Sequence, residues 1–372
     1  METRIRIGMY SPYVPEHEGG GERHFFSVAE ALSHQTQVDV LIPNKKMKLW
    51  TQQKLRNKYS QKFLLDLKKI QFVPSSIGTI ANSIVKIRET AQYDALYYLT
   101  DGSLFFSLAK KNILHIQFPF TFPMTKPVDR IKLLNWSIRN TNSAFTKRCI
   151  ERAWNTKVQY VHYPYVDTDL FKPAKKEKLI ISVGRFFTGT RSQMHCKRQD
   201  VLVDAFRMLV NQGEMDGWKL VLIGSIDPGE DNEQYAKQVE SRAKGYPIKI
   251  LHEANADVLR QYYAHASMYW HAAGYGVDQD KFPTMVEHFG ISTLEAMASG
   301  AVPLVVGKGG QVEIIEHGKN GYFWDSLEDL CKYTRALARN ETLLAEQSLE
   351  AKERAAVFSK DRFTKTLWEM VK

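Results

Sequence analysis

Apolar residues recur along this chain in short continuous runs, each followed by a stretch in which they return every third or fourth position. That rhythm predicts strands and helices in alternation. Residues 5–10 (IRIGMY) predict a first strand, 22–33 a helix and 38–43 a second strand, a β-α-β unit. Further strands are predicted at 95–99, 113–118, 158–163, 179–183, 218–223, 248–251, 268–271 and 302–306, most of them separated by helical patterns. Two doubly wound parallel sheets are the economical architecture for such a series. The rhythm breaks at YPYVDTDLFKP, from Tyr163 to Pro173, which places a domain boundary there. Near the end, Phe363, Leu367, Trp368 and Val371 share one face of a helix predicted over 358–371.

Length agrees with two domains, because 372 residues exceed what one core usually supports. No apolar run is long enough to cross a bilayer, and the opening METRIRIGMY reads as a strand rather than a signal peptide, so a cytoplasmic protein is expected. Cys149, Cys196 and Cys331 show no C-x-x-C spacing, which suggests neither a disulfide framework nor a zinc site.

Charge changes the picture more. The chain carries +10, yet residues 1–165 hold 24 Lys and Arg against 12 Asp and Glu, so the whole excess lies in the first half. It is densest at 45–69, where nine basic residues face only Asp66 and are interleaved with Leu49, Trp50, Leu55, Tyr59, Phe63, Leu64 and Leu65. Such a stretch fits an anionic membrane surface or a phosphorylated acceptor, and it also fits an ordinary solvated helix face. No RRM, KH or zinc-finger pattern accompanies it, so nucleic acid is not expected.

The candidate chemistry centres on EHFGISTLE, from Glu287 to Glu295. A helix is predicted to open at Ser292 and to stop at Gly300, leaving unpaired amides near Gly290, Ile291 and Ser292 that suit an anion. Glu287 and Glu295 would compete with a phosphate there unless they accept hydrogen bonds from sugar or ribose hydroxyls. The alternative for Glu295 is a Ser-x-x-Glu capping box with Ser292. Arg185, after the apolar strand IISVG, and Lys197, opening the helix of KRQDVLVDAF, would face the carboxyl edge of a sheet, where a guanidinium fork and an ammonium suit a diphosphate. Gly19, Gly20 and Gly21 form a tight β-α turn without the G-x-G-x-x-G spacing, which argues against a nicotinamide enzyme. Asp167-Thr-Asp169 and Asp278-Gln-Asp280 follow no strand that would aim both carboxylates at a diphosphate, so metal binding is not expected.

The segment from Pro283 to Trp324, with EHFGISTLEAMASGAVPLVV, Gly309-Gly310-Gln-Val-Glu313 and EHGKNGY, together with IISVGR and KRQDVLVDAF, resembles the C-terminal domain of retaining glycosyltransferase family 4. The resemblance implies the GT-B fold, α/β with two doubly wound Rossmann-like domains facing across a cleft and a C-terminal helix crossing back to the first. Residues 1–165 with 358–372 would bind the acceptor and 166–357 the nucleotide sugar. It also implies a retaining, metal-independent hexosyltransferase with no cofactor, moving a hexose from a nucleotide diphosphate sugar, UDP-glucose as first guess, to a saccharide or a polyprenyl-diphosphate-linked acceptor in polysaccharide or glycolipid synthesis.

By the same resemblance His115 and Glu287 would be catalytic. Gly20, Gly21, Arg185, Lys197, Gly290, Ile291 and Ser292 would hold the donor phosphates, Glu287, His288, Phe289 and Gly290 the sugar, and Glu295 the ribose. One departure is the longer loop from Phe186 to Cys196, with Gly189, Arg191, Ser192 and His195, which leaves Arg191 and Arg198 as alternatives to Lys197. His271 is an expected acceptor contact. The rival readings are a GT-B nucleotide-sugar 2-epimerase and a basic protein without catalysis that binds membrane or nucleic acid. Peripheral attachment at the inner face of the membrane through 45–69 is a further expectation.

Overall fold

The structure, a computed structural model, describes residues 5–79, 83–188 and 196–372. It divides into two units, Met1–Pro164 with Asp361–Lys372, and Tyr165–Lys360. The first holds β1 (Arg6–Tyr10), β2 (Gln37–Pro43), β3 (Ile70–Ser75), β4 (Ala95–Leu99), β5 (Lys111–Ile116), β6 (Ile138–Thr141) and β7 (Tyr160–Val161). They pair in the order β3-β2-β1-β4-β5-β6-β7, all parallel. The second holds β8 (Glu177–Val183), β9 (Lys219–Ile223), β10 (Ile248–Leu251), β11 (Ala266–His271), β12 (Val302–Val306) and β13 (Tyr322–Trp324), in the order β10-β9-β8-β11-β12-β13, again all parallel. Strands buried on both faces explain the continuous apolar runs: every residue of β4, β11 and β12 is buried.

Strand order reverses in each sheet at its first strand, between β1 and β4 and between β8 and β11. A groove opens at the carboxyl edge of such a reversal because the flanking connections leave toward opposite faces. In the second unit, the helix Gln199–Asn211 buries Val201, Leu202, Val203, Ala205, Phe206 and Leu209 against the sheet and so fixes the position of the chain just before it.

Three strands escape the apolar rhythm: β3, β6 and β13. β3 carries Pro74, tolerated because the strand is at the sheet edge. β6 reads IRNT and β13 is only three residues long. β5 ends at Ile116, short of the expected Phe118, since Pro119 follows and the chain leaves the ladder. β7 is cut to two residues, and Val158 gives its amide to Glu151 instead of a strand. The first helix, Gly20–Ser33, begins earlier than expected, so Gly20 and Gly21 form its opening turn. Glu22 accepts the Gly19 amide at 2.7 Å there.

Candidate active site

The reversal between β8 and β11 gathers most of the expected site residues of the second unit. Gly184 follows β8 directly, and its amide bonds Ile223 of β9 at 2.9 Å. Gln199, at the start of its helix, donates to the carbonyls of Gly184 and Arg185 at 3.0 and 3.2 Å. This clamp brings the Lys197 side chain over Gly184, where an added Cβ would stand 2.5 Å from Lys197 Cγ. Lys197 lies just outside the helix rather than in it. Its ammonium pairs with Glu287, and both side chains are mostly buried.

Glu287 Oε2 also accepts from His271 Nε2 at 3.1 Å, at the last residue of β11. Burial holds the His271 pKa below its ordinary value, against the pull of Glu287, so the ring is neutral with its proton on Nε2. His271 Nδ1 then faces Gln311 Nε2 at 3.5 Å, and the same amide donates to Thr293 Oγ1 at 3.0 Å. Four residues from separate elements thus form one chain of polar contacts: Lys197, Glu287, His271 and Gln311. Gln311 is not legible as a site residue in sequence, because its partners lie on β11 and in the helix Ile291–Ala298.

Behind Glu287 the backbone is fixed by glycines. Gly310 donates its amide to the Glu287 carbonyl at 2.8 Å, and a Cβ on Gly309 would lie 2.0 Å from that oxygen. Gly290, at φ 115°, caps the helix Ile291–Ala298 without a side chain. The capping-box alternative therefore falls away: Ser292 is inside the helix, and its hydroxyl shares a 2.8 Å hydrogen bond with Tyr269. The opening amides at Ile291 and Ser292 lack intrahelical acceptors by position. Glu295 is buried within the helix. His288 and Phe289 are buried too. His288 Nε2 donates to the Thr284 carbonyl at 3.3 Å, with burial lowering its pKa to about 4, and Phe289 packs edge-on against Phe358.

Arg185 is half exposed, and its guanidinium donates to both oxygens of Asp227 at 3.0 and 2.9 Å. Asp227 arrives on the loop after β9 and had no signal in sequence. Arg198 is forked on Asp200 at 3.1 Å, which leaves Lys197 as the cation facing Glu287. Arg191, Gly189, Ser192 and His195 lie outside the described residues.

In the first unit, His115 is wholly buried, one residue from the end of β5. Its Nδ1 donates to Asn140 Oδ1 at 2.5 Å, and its ring stacks on His24 at 4.2 Å, with His162 edge-on to His24 at 5.0 Å. Burial pushes the His115 pKa down to about 4. Two residues on, Gln117 is half-buried and lies across Gly21: a Cβ there would stand 1.8 Å from Gln117 Nε2. Gly21 is glycine for the sake of that side chain, a pairing sequence reasoning missed.

Four of the nine basic residues at 45–69 are tied into their own unit. Arg56 donates to the carbonyls of Leu67 and Ile70, Lys58 to that of Pro15, and Lys46, Lys58 and Lys62 pair with Glu16 or Glu18. The two Asp-x-Asp strings make local turns: Asp167 accepts the amides of Asp169 and Leu170, and Asp278 those of Asp280 and Lys281. Among the described residues no helix is long and apolar enough to cross a membrane.

Comparison with known proteins fits this frame. Residues 167–355, slightly more than half of the chain, match the family described as glycosyl transferases group 1. The chain is 23% identical to the Dictyostelium discoideum GDP-Man:Man(3)GlcNAc(2)-PP-Dol alpha-1,2-mannosyltransferase over 62% of its length and 46% of the relative's. It is 30% identical to an uncharacterised glycosyltransferase of Methanocaldococcus jannaschii over 46% of this chain and 36% of that one. The matched stretch thus spans less than half the length of both relatives. In fold it is similar to the Anabaena protein Alr3699/HepE, solved in complex with UDP-glucose, at a TM-score of 0.70 and 16% identity over 98% of both chains. The two all-parallel sheets are the GT-B fold, and the chain belongs to the glycosyl transferases group 1 family.

Proposed function

We propose that this protein transfers a hexose, with retention of anomeric configuration and without a metal ion, from a nucleotide diphosphate sugar to a hydroxyl acceptor. The observation that carries the reading is the Lys197–Glu287–His271 constellation at the strand-order reversal of the second unit, beside the opening of the helix Ile291–Ala298. An ammonium and helix amides supply positive potential for the departing diphosphate, and a carboxylate supplies an acceptor for sugar hydroxyls. Arg185 joins them once its guanidinium turns from Asp227 to phosphate. Glu287 and the backbone at Phe289 and Gly290 hold the sugar, with His288 fixing that backbone from beneath, and Glu295 takes the ribose.

Transfer then proceeds at one face of the sugar. The bond from the anomeric carbon to the diphosphate oxygen breaks, the acceptor oxygen bonds the same carbon, and the leaving phosphate takes the acceptor's proton. Neutral His271 holds the Glu287 carboxylate in place through Nε2–H. The second unit takes the donor in this reading, and the first takes the acceptor. UDP-glucose is the first donor to test, since Alr3699/HepE was solved with it, and GDP-mannose is next, since the Dictyostelium relative is named for it. A polyprenyl-diphosphate-linked saccharide is the first acceptor.

The test is a panel of nucleotide sugars, with EDTA, read by thermal unfolding and by NMR of the product's anomeric configuration. A donor present at about 100 times its Kd is expected to stabilise the protein by ~2.7 kcal/mol. Glu287→Gln and Lys197→Ala are expected to lower transfer by about 100-fold or more while remaining folded. Near-normal transfer by either variant, or inversion at the anomeric carbon, overturns the assignment.

A further inference from the structure

The helix Pro127–Asn135 of the first unit is amphipathic the wrong way round for a core element. Leu133 is buried, while Val128, Ile131 and Leu134 are 46, 56 and 76% exposed. Spaced three apart, these side chains make one stripe along the outer face of the helix. The stripe is continued by neighbours that the structure ties to it. Asn135 exchanges two hydrogen bonds with the backbone of Ser107, at 2.8 and 3.1 Å, which places exposed Leu108 beside the helix end. Arg130 Nε donates to the Met124 carbonyl at 3.1 Å, which holds the segment carrying exposed Phe122 beside the helix start.

Basic residues rim this apolar stripe. Lys126 precedes the helix, and Arg130 and Lys132 lie to either side of the stripe by helical geometry, with Asp129 as the helix's one acidic residue, paired to Lys132 at 3.5 Å. The unit around it carries the chain's entire positive excess. An exposed apolar patch with a cationic rim is unfavourable in water and complementary to an anionic bilayer, whose headgroups meet the cations while apolar side chains enter the acyl boundary.

We propose that this helix face, with Leu108 and Phe122, docks the protein on an anionic lipid surface. The stretch at 45–69 is the weaker candidate, because its apolar residues Leu55, Tyr59 and Leu65 are buried in its own unit and its exposed Leu49 and Leu64 share no helix stripe. The proposal stands independently of the donor reading, since vesicle binding needs no nucleotide sugar.

The experiment is co-flotation of the full chain with vesicles of phosphatidylcholine containing phosphatidylglycerol, against phosphatidylcholine alone, with sedimentation velocity in parallel. The wild type is expected to float with the anionic vesicles and to remain behind with the neutral ones. Ile131→Asp with Leu134→Asp is expected to lower binding by about tenfold or more, with an unchanged thermal midpoint. Leu134→Ser alone, at the most exposed position, is expected to weaken it less and guards against a folding defect in the pair. Lys54→Glu with Lys62→Glu is expected to leave most of the binding. The proposal is overturned if the wild type fails to float, if the 54/62 pair abolishes binding while the 131/134 pair does not, or if the 131/134 pair instead converts a dimer to a monomer.

Discussion

Arg185 and Lys197 each face a carboxylate, but the two pairs differ in exposure and so in what they do. Arg185 is half exposed and meets Asp227 through Nη1 alone, a geometry water and phosphate can both compete for. An exposed pair of this kind is worth ~0.2–1 kcal/mol, so diphosphate can displace Asp227 at little loss. Asp227→Asn should therefore tighten UDP binding by up to about fivefold, as measured by calorimetry. Weaker binding would mean that Asp227 aims the guanidinium instead of restraining it. Lys197 and Glu287 are mostly enclosed, and His271 shares the same carboxylate oxygen. That pair is a fixed part of the site, because separating it would strand a charge away from water.

At the scale of elements, the opening of the helix Ile291–Ala298 depends on one backbone conformation. Gly290 sits at φ 115°, and a Cβ there would lie 2.9 Å from Gln311 Oε1. Gly290→Ala should cost about 1–2 kcal/mol in urea unfolding for the left-handed backbone. It should also abolish nucleotide protection by displacing Gln311 from Thr293. Gly318→Ala, at φ 78° with nothing within 4 Å, is the control: it should show a similar backbone cost and keep protection, and equal protection in both would sink the role given to Gly290. The same contrast explains what could be read in the chain. Central strands announce themselves because both faces are buried, whereas β3 hides behind Pro74 and β6 behind polar residues. Glu287 and Lys197 are legible as residue types in a motif. Asp227, Gln311 and Gln117 are not, since each acquires its partner only where strands and turns distant in sequence meet at a sheet edge. His115 was legible as a histidine at a strand, but its burial against His24 and Asn140 belongs to packing alone.

For the molecule as a whole, net charge of +10 governs what it attracts, while buried imidazoles set its acid limit. The first unit encloses His24, His115 and His162, face to face or edge to face, and the second encloses His271 and His288. Burial lowers every one of these pKa values, to about 4 for His115 and His288 and about 3 for His162, and mutual repulsion lowers His24 and His162 further. A lowered folded pKa means that the unfolded chain binds protons first. Stability is therefore full above about pH 6.5 and is lost as pH falls toward the folded values. At about pH 5.5 each such histidine removes up to ~1.4 kcal/mol, less than additively where the rings touch. Because His162 Nε2 donates to the Phe363 carbonyl at 3.0 Å, the C-terminal helix Lys360–Val371 is tied to this cluster. Acid should loosen that helix early, visible as faster amide exchange there than in β8 or β11. His24→Leu removes one imidazole and its repulsion with the other two, so it should flatten the loss between about pH 7 and 5 in denaturant titrations. An unchanged slope in that variant would place the acid sensitivity outside the histidine cluster.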